Sequence, residues 1–195
     1  MATSEEFTVK KWLMIFVFIC GAVPAAAQSF VGPEFKAAEG AKPSMLLNGL
    51  FVKTTPIGES AVGFYVYGLI NQSPWAQIQG GLSVNPRKWI GFTLGAGTEK
   101  SDAPWRIGGS FFVAGRGNVA FLAMEDGGSG LWYRVHYTRR LNSRVNLGVI
   151  SRRFSPTGPY VEVKVAPRLT AWSTVGPNLE TDRTTGIVGL NVAIP

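Results

Sequence analysis

KWIGFTLGAG, residues 88–97, is oily on one side and nearly bare on the other once the chain is drawn out straight. Ile90, Phe92, Leu94 and Ala96 alternate with Gly91, Thr93, Gly95 and Gly97. Alternate side chains of an extended chain point to opposite faces, so this stretch reads as a strand with one apolar face and one small, weakly polar face.

The pattern recurs along the chain. From Met45 onward, extended runs fall near 45–54, 61–70, 75–84, 88–97, 105–114, 118–125, 131–138, 145–152, 160–166, 169–175 and 186–194. Between them lie segments rich in Gly, Pro, Asn, Asp and Ser, the residues of tight turns. In WRIGGSFFVA, Trp105, Ile107, Phe111 and Val113 oppose Arg106, Gly108, Ser110 and Phe112. In LWYRVHYT, Leu131, Tyr133, Val135 and Tyr137 oppose Trp132, Arg134, His136 and Thr138. The runs 45–54, 61–70 and 118–125 are apolar on both faces and leave their orientation open. Evenly spaced strands with short turns predict an all-β meander, closed as a barrel or folded as a sandwich.

Upstream, KKWLMIFVFICGAVPAAAQS has a basic pair, a short apolar run, a helix breaker and three alanines. That is the layout of a secretory signal peptide cut after Ala27. The expected organisation is a signal peptide over 1–27, a linker over 28–44 and a β-barrel domain over 45–195. Cys20, the sole cysteine, falls in the signal, which excludes disulfide staples and thiolate chemistry from the mature chain. Charged residues make up 16% of the chain, against roughly 25% in soluble domains. The net charge is +7, which suits anionic surfaces but carries no nucleic-acid signature.

Two arrangements fit the alternation. A lipocalin-like soluble barrel turns its oil inward around a ligand; a transmembrane barrel turns it outward. The second face carries Gly, Ser, Thr, Gln and Asn rather than the Lys and Glu of a water-facing surface, and many runs are close to the roughly ten residues of a membrane strand. Trp75, Trp89, Trp105, Trp132, Tyr137 and Tyr160 lie near run ends, where interfacial aromatics belong. The signal peptide and the dyad runs from Met45 to Ile194 resemble small bacterial outer-membrane β-barrel proteins. The resemblance implies an antiparallel up-and-down transmembrane barrel in the outer membrane, of about ten strands with eight or twelve open. It also implies a structural, adhesive or narrow-pore role, with membrane lipid, lipopolysaccharide and the outer-membrane assembly machinery as partners. The terminal GIVGLNVAIP has the alternation of a closing strand but ends on Pro195 rather than an aromatic.

Arg106, Arg134, His136, Asn146, Arg152, Glu162 and Lys164 share the sparse face and form the expected polar lumen cluster. Either they plug the bore by pairing or they favour anions. His136 and Thr138 are loosely similar to the His-x-Ser of lipid A deacylases, a weak catalytic candidate with no evident partnering carboxylate. One histidine and no mature cysteine give no metal site, and no cofactor is expected. The acidic residues Asp102, Glu125, Asp126, Glu180 and Asp182 fall in or beside turns and read as solvated.

Overall fold

The computed structural model describes residues 29–72 and 75–195, so the signal peptide expected over 1–27 lies outside the described residues. Twelve strands run in sequence: β1 (Ser29–Ala38), β2 (Ser44–Ile57), β3 (Ser60–Asn71), β4 (Ala76–Arg87), β5 (Ile90–Glu99) and β6 (Trp105–Gly115) come first. They are followed by β7 (Asn118–Gly127), β8 (Trp132–Arg140), β9 (Val145–Arg152), β10 (Gly158–Ala166), β11 (Leu169–Asn178) and β12 (Arg183–Ile194). Each pairs antiparallel with its sequence neighbours, and β1 pairs with β12 to close the barrel. Closure leaves no unpaired sheet edge, the condition for a strand to sit in hydrocarbon.

The expected antiparallel barrel is present, with twelve strands, the upper of the numbers left open around ten. Eleven of the twelve match the eleven runs read from Met45 onward, and the twelfth comes from the segment 28–44 read as a linker: residues 29–38 are β1. Gly32 and Pro33 hid it, because they interrupt both the apolar pattern and the ladder. The β1–β12 pairing runs from Val31↔Val192 directly to Glu34↔Gly189, and Pro33 has no N–H to give. The run 169–175 is β11.

Which face meets what is settled by exposure. Leu82 and Leu94 are 64% and 66% exposed, whereas Gln79 and Ser83 are buried. Phe92, Ile107, Val135, Val149 and Val188 all project outward. Oil therefore covers the exterior and polar groups line the bore, which rules out the lipocalin-like arrangement. The ambiguous runs take the same sense. Tyr65 and Leu69 turn inward on β3 while Val62 and Phe64 turn out; Ala123 and Glu125 turn inward on β7 while Leu122 and Met124 turn out.

The bare face of β5 now has a reason. A Cβ on Gly95 would come within 2.5 Å of the Tyr65 hydroxyl, and one on Gly91 would overlap the Phe112 ring. The glycines make room for large side chains that neighbouring strands send into a narrow bore. Trp172 on β11 uses the same device, lying over Gly189, where any Cβ would strike the indole.

The two ends differ. The end where β1 begins and β12 finishes has connections at 58–59, 88–89, 116–117, 141–144 and 167–168, four of them two residues long. The opposite end has 39–43, 72–75, 100–104, 128–131, 153–157 and 179–182, all four or five residues.

Candidate functional site

The lumen is the candidate site, and it is built in three groups. On the β5–β7 wall, Arg106 donates through Nε to Glu125 (2.7 Å) and through Nη1 to Glu99 (2.5 Å) and to the Ser129 hydroxyl (3.1 Å). Ser129 in turn donates its backbone N–H and its hydroxyl to Glu99, at 2.5 and 2.8 Å. Gln77 reaches Glu125 from β4, three strands away, at 3.1 Å. The guanidinium and both carboxylates are almost wholly buried. Buried charges persist only when paired and hydrogen-bonded, and this group meets that condition.

The second group crosses the bore. Arg152 at the end of β9 grips Glu34 of β1 with both terminal nitrogens, at 3.0 and 2.6 Å, and its Nε donates to the Ser155 hydroxyl at 3.0 Å. Asn48 donates to the same carboxylate at 2.8 Å. In the strand order β9 and β1 stand four places apart, so this fork-to-fork pair spans the interior rather than running along the wall. Lys36 adds a further tie, donating to the Phe154 carbonyl at 2.5 Å.

The third group is aromatic and lies on β8–β12. His136 meets Tyr160 edge to face at 4.3 Å between ring centres, and Tyr160 stacks obliquely on Trp172 at 5.7 Å. The Tyr160 hydroxyl donates to Glu162 (3.0 Å), which also accepts from Asn146 (2.7 Å). Ile150 and Ile187 complete this packed group. Buried aromatics with a satisfied polar tip are rigid wall material.

The expected lumen residues thus do not form one constellation. Arg106 and Arg152 anchor separate ion pairs, and Asn146 and Glu162 pair with each other. Lys164 has the lumen parity but is exposed near the strand end. Arg134 sits 5.9 Å over the Phe121 ring with its Nε buried and unbonded, and the buried Nε2 of His136 is likewise unbonded. Thr138 is on the same face of β8, two residues beyond His136; neither it nor a carboxylate is hydrogen-bonded to that imidazole.

Glu34, Glu99 and Glu125 are the groups that sequence reasoning missed. Glu125, read as a solvated turn residue, is a buried lumen carboxylate. The signal was available in the alternation itself: Glu99 continues the series Gly91, Thr93, Gly95, Gly97, and its position at the strand end disguised it. Of the expected interfacial aromatics, Trp89, Trp105 and Tyr137 are exposed, and Tyr137 donates its hydroxyl to Asn118. Trp75 and Trp132 take the parity of Gln77 and Arg134 and face the bore side. Tyr160 is buried in the lumen because it shares the inward parity of Glu162 on β10, and there it packs between His136 and Trp172.

An oil-clad closed barrel with a polar interior is the architecture of bacterial outer-membrane barrels, and solved structures share it. A KdgM porin in complex with disordered oligogalacturonate superposes with a TM-score of 0.57 at 9% identity, covering 85% of this chain and 99% of that one. KdgM porin alone gives 0.56 at 9% identity, with the same coverage. Outer membrane phospholipase A from Escherichia coli gives 0.53 at 8% identity over 88% of this chain and 91% of that one. No protein-family profile matches the chain, and no curated sequence does. The chain has the closed outer-membrane barrel fold, with an apolar outer face suited to lipid.

Proposed function

We propose that the protein is an integral outer-membrane barrel forming a narrow, side-chain-crossed passage, and that it is not an enzyme. The observation that carries the reading is the Arg152–Glu34 fork across the bore. A polar lumen favours water and solutes, while a bridge between strands four places apart cuts its free cross-section. The neighbouring porin folds support passage as the role. Among the described residues Arg134, through its unbonded Nε, is the lumen cation with unused hydrogen-bonding capacity, so an anion in transit would be held there. Insertion would follow cleavage of the signal peptide and depend on the outer-membrane assembly machinery, with lipopolysaccharide packing against the exposed aliphatic band.

Single-channel recording of the refolded protein in planar bilayers tests this. The native protein should show small conductance, and the double variant Glu34→Ala/Arg152→Ala, which removes both charges together, should raise it several-fold. Equal conductance would show that the bridge does not restrict the bore. Against catalysis stands the setting of His136, whose imidazole packs on Tyr160 with its Nε2 unbonded. His136→Ala should leave the lipid A and phospholipids of an expressing cell unchanged.

A further inference from the structure

The charge of this barrel is segregated. The buried lumen belt is balanced, with Glu34, Glu99 and Glu125 against Arg106, Arg134 and Arg152. The loop-bearing end is also balanced, since five cations there meet five carboxylates. The remaining charges of the described residues sit at the end where β1 begins and β12 finishes. Lys88 lies in the β4–β5 turn beside Arg87 at the end of β4, Arg116 in the β6–β7 turn, and Arg144 in the β8–β9 connection beside Arg139 and Arg140 at the end of β8. Lys53 on β2, with Lys164 and Arg168 around the β10–β11 turn, completes nine cations, all exposed. They face two carboxylates, Glu59 and Glu162, an excess of seven that equals the net charge of the whole chain. Glu162 is engaged in the lumen, and among the described residues Arg87, through Glu59, is the one cation of the nine in an ion pair.

From this placement we infer that the short-turn rim is a seat for anionic phospholipid headgroups of the leaflet it faces. The inference rests on the membrane-spanning reading. Three features favour lipid over a soluble partner. The cations occur on successive turns around the circumference, not in one patch. They stand beside the end of the apolar band, where Trp89, Tyr137, Leu141 and Val165 are exposed. The turns are mostly two residues long, too short to rise clear of a headgroup layer. An amphipathic ring beside a cation, as in Lys88–Trp89 and Tyr137–Arg139, is an interfacial anchor. Short turns mark the periplasmic side of such barrels and longer loops the outer side, so the leaflet is the inner one, which is phospholipid.

The test is electron-spin resonance of spin-labelled phosphatidylglycerol and phosphatidylcholine around the refolded protein in phosphatidylcholine vesicles. Phosphatidylglycerol should be preferred by about five-fold, the factor one basic side chain near an anionic headgroup supplies. Salt should reduce that preference. The variant Arg116→Gln/Arg139→Gln/Arg144→Gln/Arg168→Gln should bring it close to parity, and Lys42→Gln/Lys100→Gln/Arg183→Gln at the other end should leave it intact. Heat-modifiable migration of each sample reports insertion separately: a chain that does not insert refutes the membrane reading itself. An inserted native barrel with no lipid preference overturns the rim assignment, as does a preference that survives the quadruple variant. So does salt-sensitive co-sedimentation with purified peptidoglycan by a barrel without lipid preference, which would give the rim to an acidic wall polymer.

Discussion

Replacing Arg106 by Met would strand two carboxylates on one dry wall. Arg106 holds Glu125 at 2.7 Å and Glu99 at 2.5 Å, so the two acids lie about 5–6 Å apart, the width of a shared guanidinium with a hydrogen bond on each side. At that separation two like charges repel by about 3 kcal/mol at an effective dielectric of about 20. Glu99 keeps its two bonds from Ser129, and Glu125 keeps its bond from Gln77, which offsets part of the loss. The expected cost is about 3–5 kcal/mol, the range for breaking a buried pair from one side. Urea unfolding of the protein refolded in vesicles, followed by tryptophan fluorescence, measures it. The triple variant Arg106→Met/Glu99→Gln/Glu125→Gln should recover most of the loss, since no unpaired charge then remains. A single variant within about 0.5 kcal/mol of the native protein would refute the reasoning, because that is the effect of a solvated surface pair. A triple variant no better than the single would show that packing, not charge, holds this wall.

Other expectations follow from the same geometry. Leu94→Lys places an ammonium on the hydrocarbon face of β5 and should cost about 2–4 kcal/mol in the same unfolding assay. Gly189→Ala drives a methyl into the Trp172 ring and should cost about 1–3 kcal/mol, with Trp172→Leu in the same chain relieving part of it. Arg134→Gln should lower the anion preference of the passage, read as a shift in reversal potential under a salt gradient, without loss of the folded gel band.

The strand 90–99 announces itself because every second residue is small and the others are apolar, a contrast only an extended chain with two unlike surroundings produces. Inside and outside were legible for the same reason: Gly, Thr and Gln are poor candidates for a water-facing skin. What escaped was whatever depended on pairing between distant strands. Pro33 breaks a ladder on one side only, so β1 looks irregular in sequence although β2 pairs with it throughout Phe30–Lys36. The partner of Arg152 is 118 residues away, and nothing local to either residue marks the fork. Tyr160 looks like an interfacial ring until Gly189, two strands over, is seen to give Trp172 the space beside it.

Closure has a consequence for how this chain comes together. Eleven of its twelve seams join sequence neighbours and can zip as local hairpins, while the twelfth must unite the first strand with the last. That final joint brings in the chain's longest loop-closure entropy and is the slow event in a mostly local topology. Glu34 rides on β1, so its grip on Arg152 is complete only once the cylinder shuts. Until then both charges need water, and the half-made barrel has reason to keep its bore wet while its outside is already entering oil.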